Sequence, residues 1–90
     1  MRDNYYLSVF KTKNQAVFLY STLETMGYKV FQLVSTPCII KAGCNYSIKF
    51  SDRRYVQIIL NIAKDLEIEV PDIYFAEKIN GKYKYIKILI

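Results

Sequence analysis

Two segments with helical spacing of apolar residues, each lying between strand-like segments, constrain the fold of this chain most. The apolar positions are Ala16, Leu19, Tyr20, Leu23 and Met26 in the first segment, and Val56, Ile59, Leu60, Ala63 and Leu66 in the second. Thr12 or Asn14 can cap the first helix, which Gly27 ends as a C′ residue. Ser51 or Asp52 can cap the second, so the sequence predicts two helices with one core face each.

Strands are expected on both sides of each helix. Residues 5–10 are rich in aromatic and branched side chains, which favours a strand. Residues 28–34 and 73–79 are interpreted as the second and fourth strands, and residues 46–51 alternate apolar with polar side chains as a half-buried third strand does. Asn80-Gly81 is the dipeptide preferred by a two-residue type I′ turn, since both positions need positive φ. Residues 82–90 are therefore expected to return as a fifth strand.

This order, βαββαβ with an added C-terminal strand, predicts an α+β ferredoxin-like sandwich in which two helices cover one face of an antiparallel sheet. Ninety residues suit a single domain, residues 1–90. The other face is expected to be open or covered by a partner. Many of the nine tyrosines could lie there, and an exposed aromatic face favours association, so we expect a homo-oligomer.

Composition excludes several classes of function. The formal charge of +5 is spread along the chain, which favours a solvated basic face over a nucleic-acid surface. The chain has no histidine, so the usual general base and the commonest metal ligand are absent. Asp65, Glu67 and Glu69 are better interpreted as a solvated helix end than as a metal site. We expect no metal and no organic cofactor.

Targeting and membrane segments are not expected either. No apolar run approaches the ~20 residues that span a bilayer, and residues 5–10 are too short for a signal-peptide core. These features favour a cytoplasmic protein with reduced cysteines. Two cysteines cannot by themselves make a disulfide scaffold or a four-ligand zinc site.

Both cysteines lie in the connection between the second and third predicted strands. Ser35 or Thr36 can act as an N-cap and Pro37 suits the first helical position, so we expect residues 37–42 to form one short helical turn that Gly43 ends. Cys38 would then lie near unpaired backbone N–H groups, which stabilise a thiolate. Lys41, three residues on, could add a cation on the same face.

The two sulfurs could come together across this turn. A thiolate with a neighbouring thiol can exchange disulfides or pass a sulfur atom as a persulfide. The spacing of Cys38 and Cys44 is much less diagnostic than a CxxC motif. On spacing alone, two small buried hydrophobic residues are the favoured interpretation.

A family resemblance favours a functional cysteine over two buried hydrophobic ones. The segment Thr36-Pro37, then Cys44, then Ile48-Lys49-Phe50 resembles the DUF3343 family of selenium/sulfur carrier-like proteins. The resemblance covers most of the chain but not the hairpin from Ile73 onward. It implies that Cys44 is the carrier nucleophile.

The chain also departs from the family pattern at the loop. Asn45 stands where glycine is usual, and asparagine can adopt the left-handed conformation that glycine would. Cys38 stands where a charged residue is common, and is then either a resolving thiol or an incidental one. The helix-start argument favours Cys38 and the resemblance favours Cys44, and we give the resemblance more weight.

Three functions follow as hypotheses. The first is a carrier: Cys44 accepts a sulfane sulfur or selenium atom from a cysteine desulfurase-type donor and passes it to an acceptor protein, supported by the loop residues Thr36, Pro37, Lys41, Gly43 and Asn45. The second is a non-catalytic interaction or regulatory module that associates through a tyrosine-rich sheet. The third, less favoured, is RNA binding by exposed aromatic side chains. A carrier or accessory protein is favoured over a stand-alone enzyme.

Overall fold

The computed structural model of the chain describes residues 3–43 and 45–89. The elements are β1 (Tyr5–Val9), α1 (Lys13–Thr25), β2 (Gln32–Ser35), β3 (Tyr46–Phe50), α2 (Val56–Asp65), β4 (Asp72–Ile79) and β5 (Lys82–Ile88), with a 3₁₀ turn at Arg53–Tyr55 before α2. The strands form one sheet in the order β2-β3-β1-β4-β5, and every neighbouring pair is antiparallel. This is the predicted ferredoxin-like arrangement, with β5 added at the edge beside β4.

The ends of α1 explain where β2 begins. A reciprocal capping box joins Thr12 and Gln15 at the first turn. At the other end Gly27 has a φ of 89°, and its N–H donates to Glu24 while the Tyr28 N–H donates to Leu23. This is a Schellman motif, and it uses the Tyr28 amide that a strand would need. The predicted strand start at residue 28 is therefore wrong, and β2 begins at Gln32.

The core face of α2 differs from the prediction at three positions. Val56, Ile59 and Ala63 are buried as expected, and Ile62 is buried as well. Leu60 and Leu66 are only partly buried at the edge of the core. Asp52, one of the two predicted caps of the second helix, caps the 3₁₀ turn that precedes α2 by accepting from the Arg54 N–H at 2.9 Å. Of the α1 set, only Met26 is exposed, because it is the C-cap and lies beyond the helix.

The helices cover one face of the sheet, which we call the helix face. Its strand positions include Ile48, Phe50 and Ile73, which pack with Leu19 and Ile59 in a single cluster. The β4–β5 hairpin turns at Asn80 (φ 51°) and Gly81 (φ 79°), which confirms the type I′ turn. The sheet therefore extends one strand beyond a ferredoxin-like core.

The opposite face, which we call the loop face, is not bare. Leu7 and Ala76 point to it, by alternation with helix-face neighbours, and both are fully buried. Leu7 lies between Lys49 and Tyr74 across the sheet. The expectation that this face is open or covered by a partner is corrected by these residues, since part of it is buried within the chain itself.

Four of the nine tyrosines have the register of the loop face. They are Tyr5, Tyr74, Tyr83 and Tyr85, and each is partly exposed. The others belong to the helices, the turns or the helix face. The expectation of a tyrosine-rich face therefore holds for these four residues.

Candidate functional site

The cysteine loop, residues 36–45, is closed at its base by two hydrogen bonds. The Thr36 N–H donates to the Asn45 carbonyl at 2.9 Å. The Thr36 hydroxyl pairs with the Ser47 hydroxyl at 2.6 Å, and both side chains are buried. Because Ser47 belongs to the loop face, Thr36 directs the start of the loop to that side of the sheet.

The loop begins with one tight turn and not with a helix. The Pro37 carbonyl accepts from the N–H groups of Ile40 and Lys41, at 3.0 and 3.1 Å. Neither predicted cap acts as one: Ser35 is the last residue of β2, and the Thr36 hydroxyl is bound to Ser47. The predicted helical turn is therefore present over residues 37–41, but it has neither predicted side-chain cap and does not continue into a helix. The positive φ expected of a chain-reversing glycine is present at Gly43, at 100°.

One of the two cysteines, Cys38, lies within the described residues. Cys38 lies on the exposed side of the tight turn, where its thiol is accessible. Cys44 lies outside the described residues, between Gly43 and Asn45 in the sequence. The approach of the two sulfurs stays a prediction. So does the left-handed conformation of Asn45, since its φ angle includes an atom of Cys44.

Lys41 anchors the loop to the end of β1. Its ammonium donates to the carbonyl of Lys11 at 2.7 Å and to that of Phe10 at 3.4 Å. These carbonyls follow the end of β1, so Lys41 ties the loop across the sheet to the next connection. The role of Lys41 as a cation near a thiolate stays a prediction.

A groove lies beside the loop on the loop face. Ile39 and Ile40 form one wall, and Tyr74, Tyr83, Lys84 and Tyr85 form the other, around a volume of about 340 Å³. Ile39 is 80% exposed although it is apolar. Sequence reasoning missed this juxtaposition: alternation alone placed Tyr83 and Tyr85 on one face, but only the sheet order brings β5 near the loop.

A second cavity of about 360 Å³ lies on the other side of Ile40. Its lining includes Val9, Lys11, Lys41 and Val70. Lys11 also pairs with Glu69 at 3.5 Å in this region. Ile40 therefore separates two depressions, and the cysteine loop stands between them.

The tyrosines of the loop face contact one another. The Tyr5 and Tyr85 hydroxyls are 3.2 Å apart, and the Tyr83 hydroxyl donates to the Asp3 carbonyl at 3.0 Å. The Lys49 ammonium lies 4.4 Å from the centre of the Tyr5 ring. Burial, reinforced by the hydrogen bond with Tyr85, raises the pKa of the Tyr5 hydroxyl well above its ordinary value. This cluster fixes the tyrosine wall of the groove.

The described residues contain neither a metal-binding cluster nor a membrane span. Within residues 3–43 and 45–89, no three His, Cys, Asp or Glu side chains come together as a metal site would require. Of the acidic residues at the end of α2, Glu67 takes a left-handed conformation in the terminal turn and Glu69 pairs with Lys11. No helix in the part of the chain that the structure describes is long and apolar enough to cross a membrane.

The part of the sequence that contains this loop matches a known protein family. Residues 5–75 match the family described as "Putative Se/S carrier protein-like". The chain belongs to this family. No curated protein and no solved structure matches it.

The family match spans the cysteine loop and stops within β4. It includes both helices, the whole of residues 36–45 and the first half of β4. The end of β4, the Asn80-Gly81 turn and β5 lie beyond it. The groove beside the cysteine loop therefore has one wall inside the family match and one largely outside it.

Proposed function

We propose that this protein carries a sulfane sulfur or selenium atom on Cys44. The observation that supports the proposal is membership of a selenium/sulfur carrier-like family over residues 5–75, a stretch that contains the cysteine loop. The loop is closed at its base by Thr36 and is tied to β1 by Lys41. A thiol in such a loop is presented by rigid strands, as a transfer site requires.

The proposed loading step is a thiol exchange. A cysteine desulfurase-type donor presents a persulfide, and the Cys44 thiolate attacks its outer sulfur. The new bond joins Cys44 to that sulfur, while the donor S–S bond breaks and the donor cysteine leaves as a thiolate with the bonding electrons. The acceptor thiolate repeats the same displacement on the Cys44 persulfide and regenerates the Cys44 thiolate. No metal or organic cofactor takes part.

Cys38 is the proposed resolving thiol. Its thiolate attacks the sulfur of Cys44 in the loaded protein, a Cys38–Cys44 disulfide forms, and hydrosulfide leaves with the electrons of the broken bond. A dithiol reductant then returns both cysteines to thiols. The exposure of Cys38 supports this role, because a resolving thiol must be accessible.

The other loop residues are proposed to support the thiol. Thr36 and Asn45 hold the base together, and Pro37 and Gly43 set the two changes of chain direction. Lys41 acts through the loop backbone, since its ammonium is bound to the carbonyls of Phe10 and Lys11. We propose that the protein works in the cytoplasm, where such a thiol stays reduced.

Mass spectrometry after incubation with a cysteine desulfurase and cysteine tests the carrier. We expect a mass increase of about 32 Da at Cys44, removable by a thiol reductant. Cys38→Ser should still load, and Cys44→Ser should not. An active donor that leaves Cys44 unmodified, or that loads Cys38 alone, would contradict the proposal.

The tyrosines of the loop face favour a second candidate, a non-catalytic interaction module. Four partly exposed tyrosines on one face are typical of a surface through which proteins associate. If the protein is such an interaction module, the Cys38→Ser, Cys44→Ser double variant should be as active in cells as the wild-type protein. Association between copies, which we also propose, is measured by sedimentation of the wild-type protein over a range of concentrations.

A further inference from the structure

The hairpin beyond the family match builds part of the groove next to the cysteine loop. Tyr83, Lys84 and Tyr85 of β5 face Ile39 and Ile40 across a volume of about 340 Å³. These β5 residues follow the matched range, which ends at residue 75. A carrier fold that stopped at β4 would lack this wall.

The hairpin also gives the sheet a new free edge. Within residues 3–43 and 45–89, β5 is the outermost strand of the sheet and pairs only with β4. In a two-residue type I′ hairpin, the flanking residues Ile79 and Lys82 exchange backbone hydrogen bonds, and hydrogen-bonded pairs then alternate along the strands. The N–H and C=O groups of Tyr83, Tyr85 and Lys87 therefore point away from β4, where an added strand can bind them.

The charge of β5 indicates the chemistry of a partner. Residues 82–88 include Lys82, Lys84 and Lys87 and no acidic residue. Among the described residues, Lys87 pairs with Asp72 at 3.4 Å, whereas Lys82 and Lys84 enter no ion pair. Lys82 and Lys84 have the register of the helix face, so these two cations lie along the free edge on the side opposite the groove.

We propose that β5 and this groove bind an extended, acidic and apolar segment of the protein that exchanges the carried atom with the cysteine loop. The segment adds to β5 as another strand, its apolar side chains enter the groove against Ile39, and its carboxylates meet Lys82 and Lys84. The identity of this partner rests on the proposed carrier function. The docking surface itself rests on the groove, the free edge and the charges.

Two other occupants fit the surface less well. A second copy would bring another lysine-rich strand to the same edge, and like charges oppose that pairing. RNA would need open ring faces, but the Tyr83 ring already packs edge-on against Tyr5 and stacks with Tyr85. A peptide backbone, by contrast, satisfies the outward N–H and C=O groups of β5.

Nuclear magnetic resonance of the Cys38→Ser, Cys44→Ser variant tests docking without any sulfur chemistry. The probe is a capped peptide of about nine residues that alternates Glu with Val, at about 1 mM. We expect shifted amide signals and slowed exchange at Tyr83, Tyr85 and Lys87, and shifts at Ile39. The same peptide with Lys in place of Glu should give none of these changes.

Several results would overturn the docking proposal. One is equal binding of both peptides, and another is no change at the β5 amides. Slowed exchange at these amides that depends on protein concentration, without peptide, would assign the edge to a second copy. Shifts of the β5 tyrosines by oligouridylate alone would assign the face to RNA.

The rate of persulfide transfer tests the docking proposal separately from the carrier proposal. From a cysteine desulfurase charged with cysteine, transfer to Lys82→Glu, Lys84→Glu should be about tenfold slower than to wild type. The matched control Arg53→Glu, Lys64→Glu has the same net charge, at exposed positions that share no cavity with β5, and should match wild type to within about twofold. Equal slowing in both variants would overturn the docking proposal while leaving the carrier intact. A wild-type protein that binds the acidic peptide but never loads would overturn the carrier and leave the docking surface.

Discussion

The two faces of the sheet are buried by different means. On the helix face, Ile48 and Phe50 lie under two helices within a single apolar cluster. On the loop face, Leu7 is equally buried, yet its cross-strand neighbours are a lysine and a tyrosine. The loop face instead combines a small buried centre with exposed residues such as Cys38 and Ile39.

Of the changes predicted here, Leu7→Ala should lower the free energy of unfolding most, and it tests how much the loop face contributes to stability. Leu7 is fully buried, so we expect the free energy of unfolding to fall by about 3 kcal/mol in urea titrations. Ile86→Ala is the control, because Ile86 has the register of the helix face but is 40% exposed, and it should lose less than about 1 kcal/mol. A larger loss for Ile86 than for Leu7 would show that the loop face contributes little to stability.

The sequence predicted most of the fold because its signals are local. The capping box at Thr12, the reversal at Gly27 and the Asn80-Gly81 turn each depend on residues a few positions apart. The order of the strands followed from these elements. The start of β2 was missed because the Tyr28 amide is used by the end of α1, which apolar patterning does not reveal.

The loop was predicted less well because its contacts are distant in sequence. Thr36 looks like a helix cap until Ser47, eleven positions later, takes its hydroxyl. Lys41 donates to the carbonyls of Phe10 and Lys11, which lie 31 and 30 positions earlier. Both contacts follow from the sheet, which sets what lies next to the loop.

Thr36→Val should cost about 2 kcal/mol of unfolding free energy. Valine keeps the shape of threonine but leaves the buried Ser47 hydroxyl without its partner. Thr36→Ser retains the hydroxyl and should lose less than half as much in the same urea titration. If serine costs as much as valine, packing and not the hydrogen bond closes the loop.

Lys41→Met should loosen the loop with a smaller effect on the whole fold. Methionine keeps an apolar stem but cannot donate to the carbonyls of Lys11 and Phe10, so we expect a loss of about 1 kcal/mol. Hydrogen exchange at the Ile40 and Lys41 amides should become faster, while the amides of β1 stay protected. Lys41→Arg keeps a donor and should exchange like wild type. Unchanged exchange in Lys41→Met would mean that the Pro37 turn holds the loop without Lys41.

Tyr5→Phe should have the smallest effect at neutral pH and a distinctive one at high pH. At neutral pH it removes one hydrogen bond, to Tyr85, at a cost of about 0.5 kcal/mol. The raised pKa of Tyr5 in the folded protein means that the unfolded chain ionises first, from about pH 10. The stability that Tyr5 contributes is therefore complete below that pH and is lost as pH rises towards the folded pKa.

Urea titrations between about pH 8 and 11 should show this loss as a steeper decline in wild type than in Tyr5→Phe. Tyr85→Phe leaves Tyr5 partly buried but without its hydrogen bond, so the decline of this variant should be intermediate. Parallel declines in all three proteins would mean that the Tyr5 hydroxyl ionises in the folded state as readily as in the unfolded chain. Solvent would then reach the Tyr5 hydroxyl more freely than its contacts with Tyr85 and Lys49 indicate. The tyrosine wall beside the cysteine loop would be correspondingly less rigid.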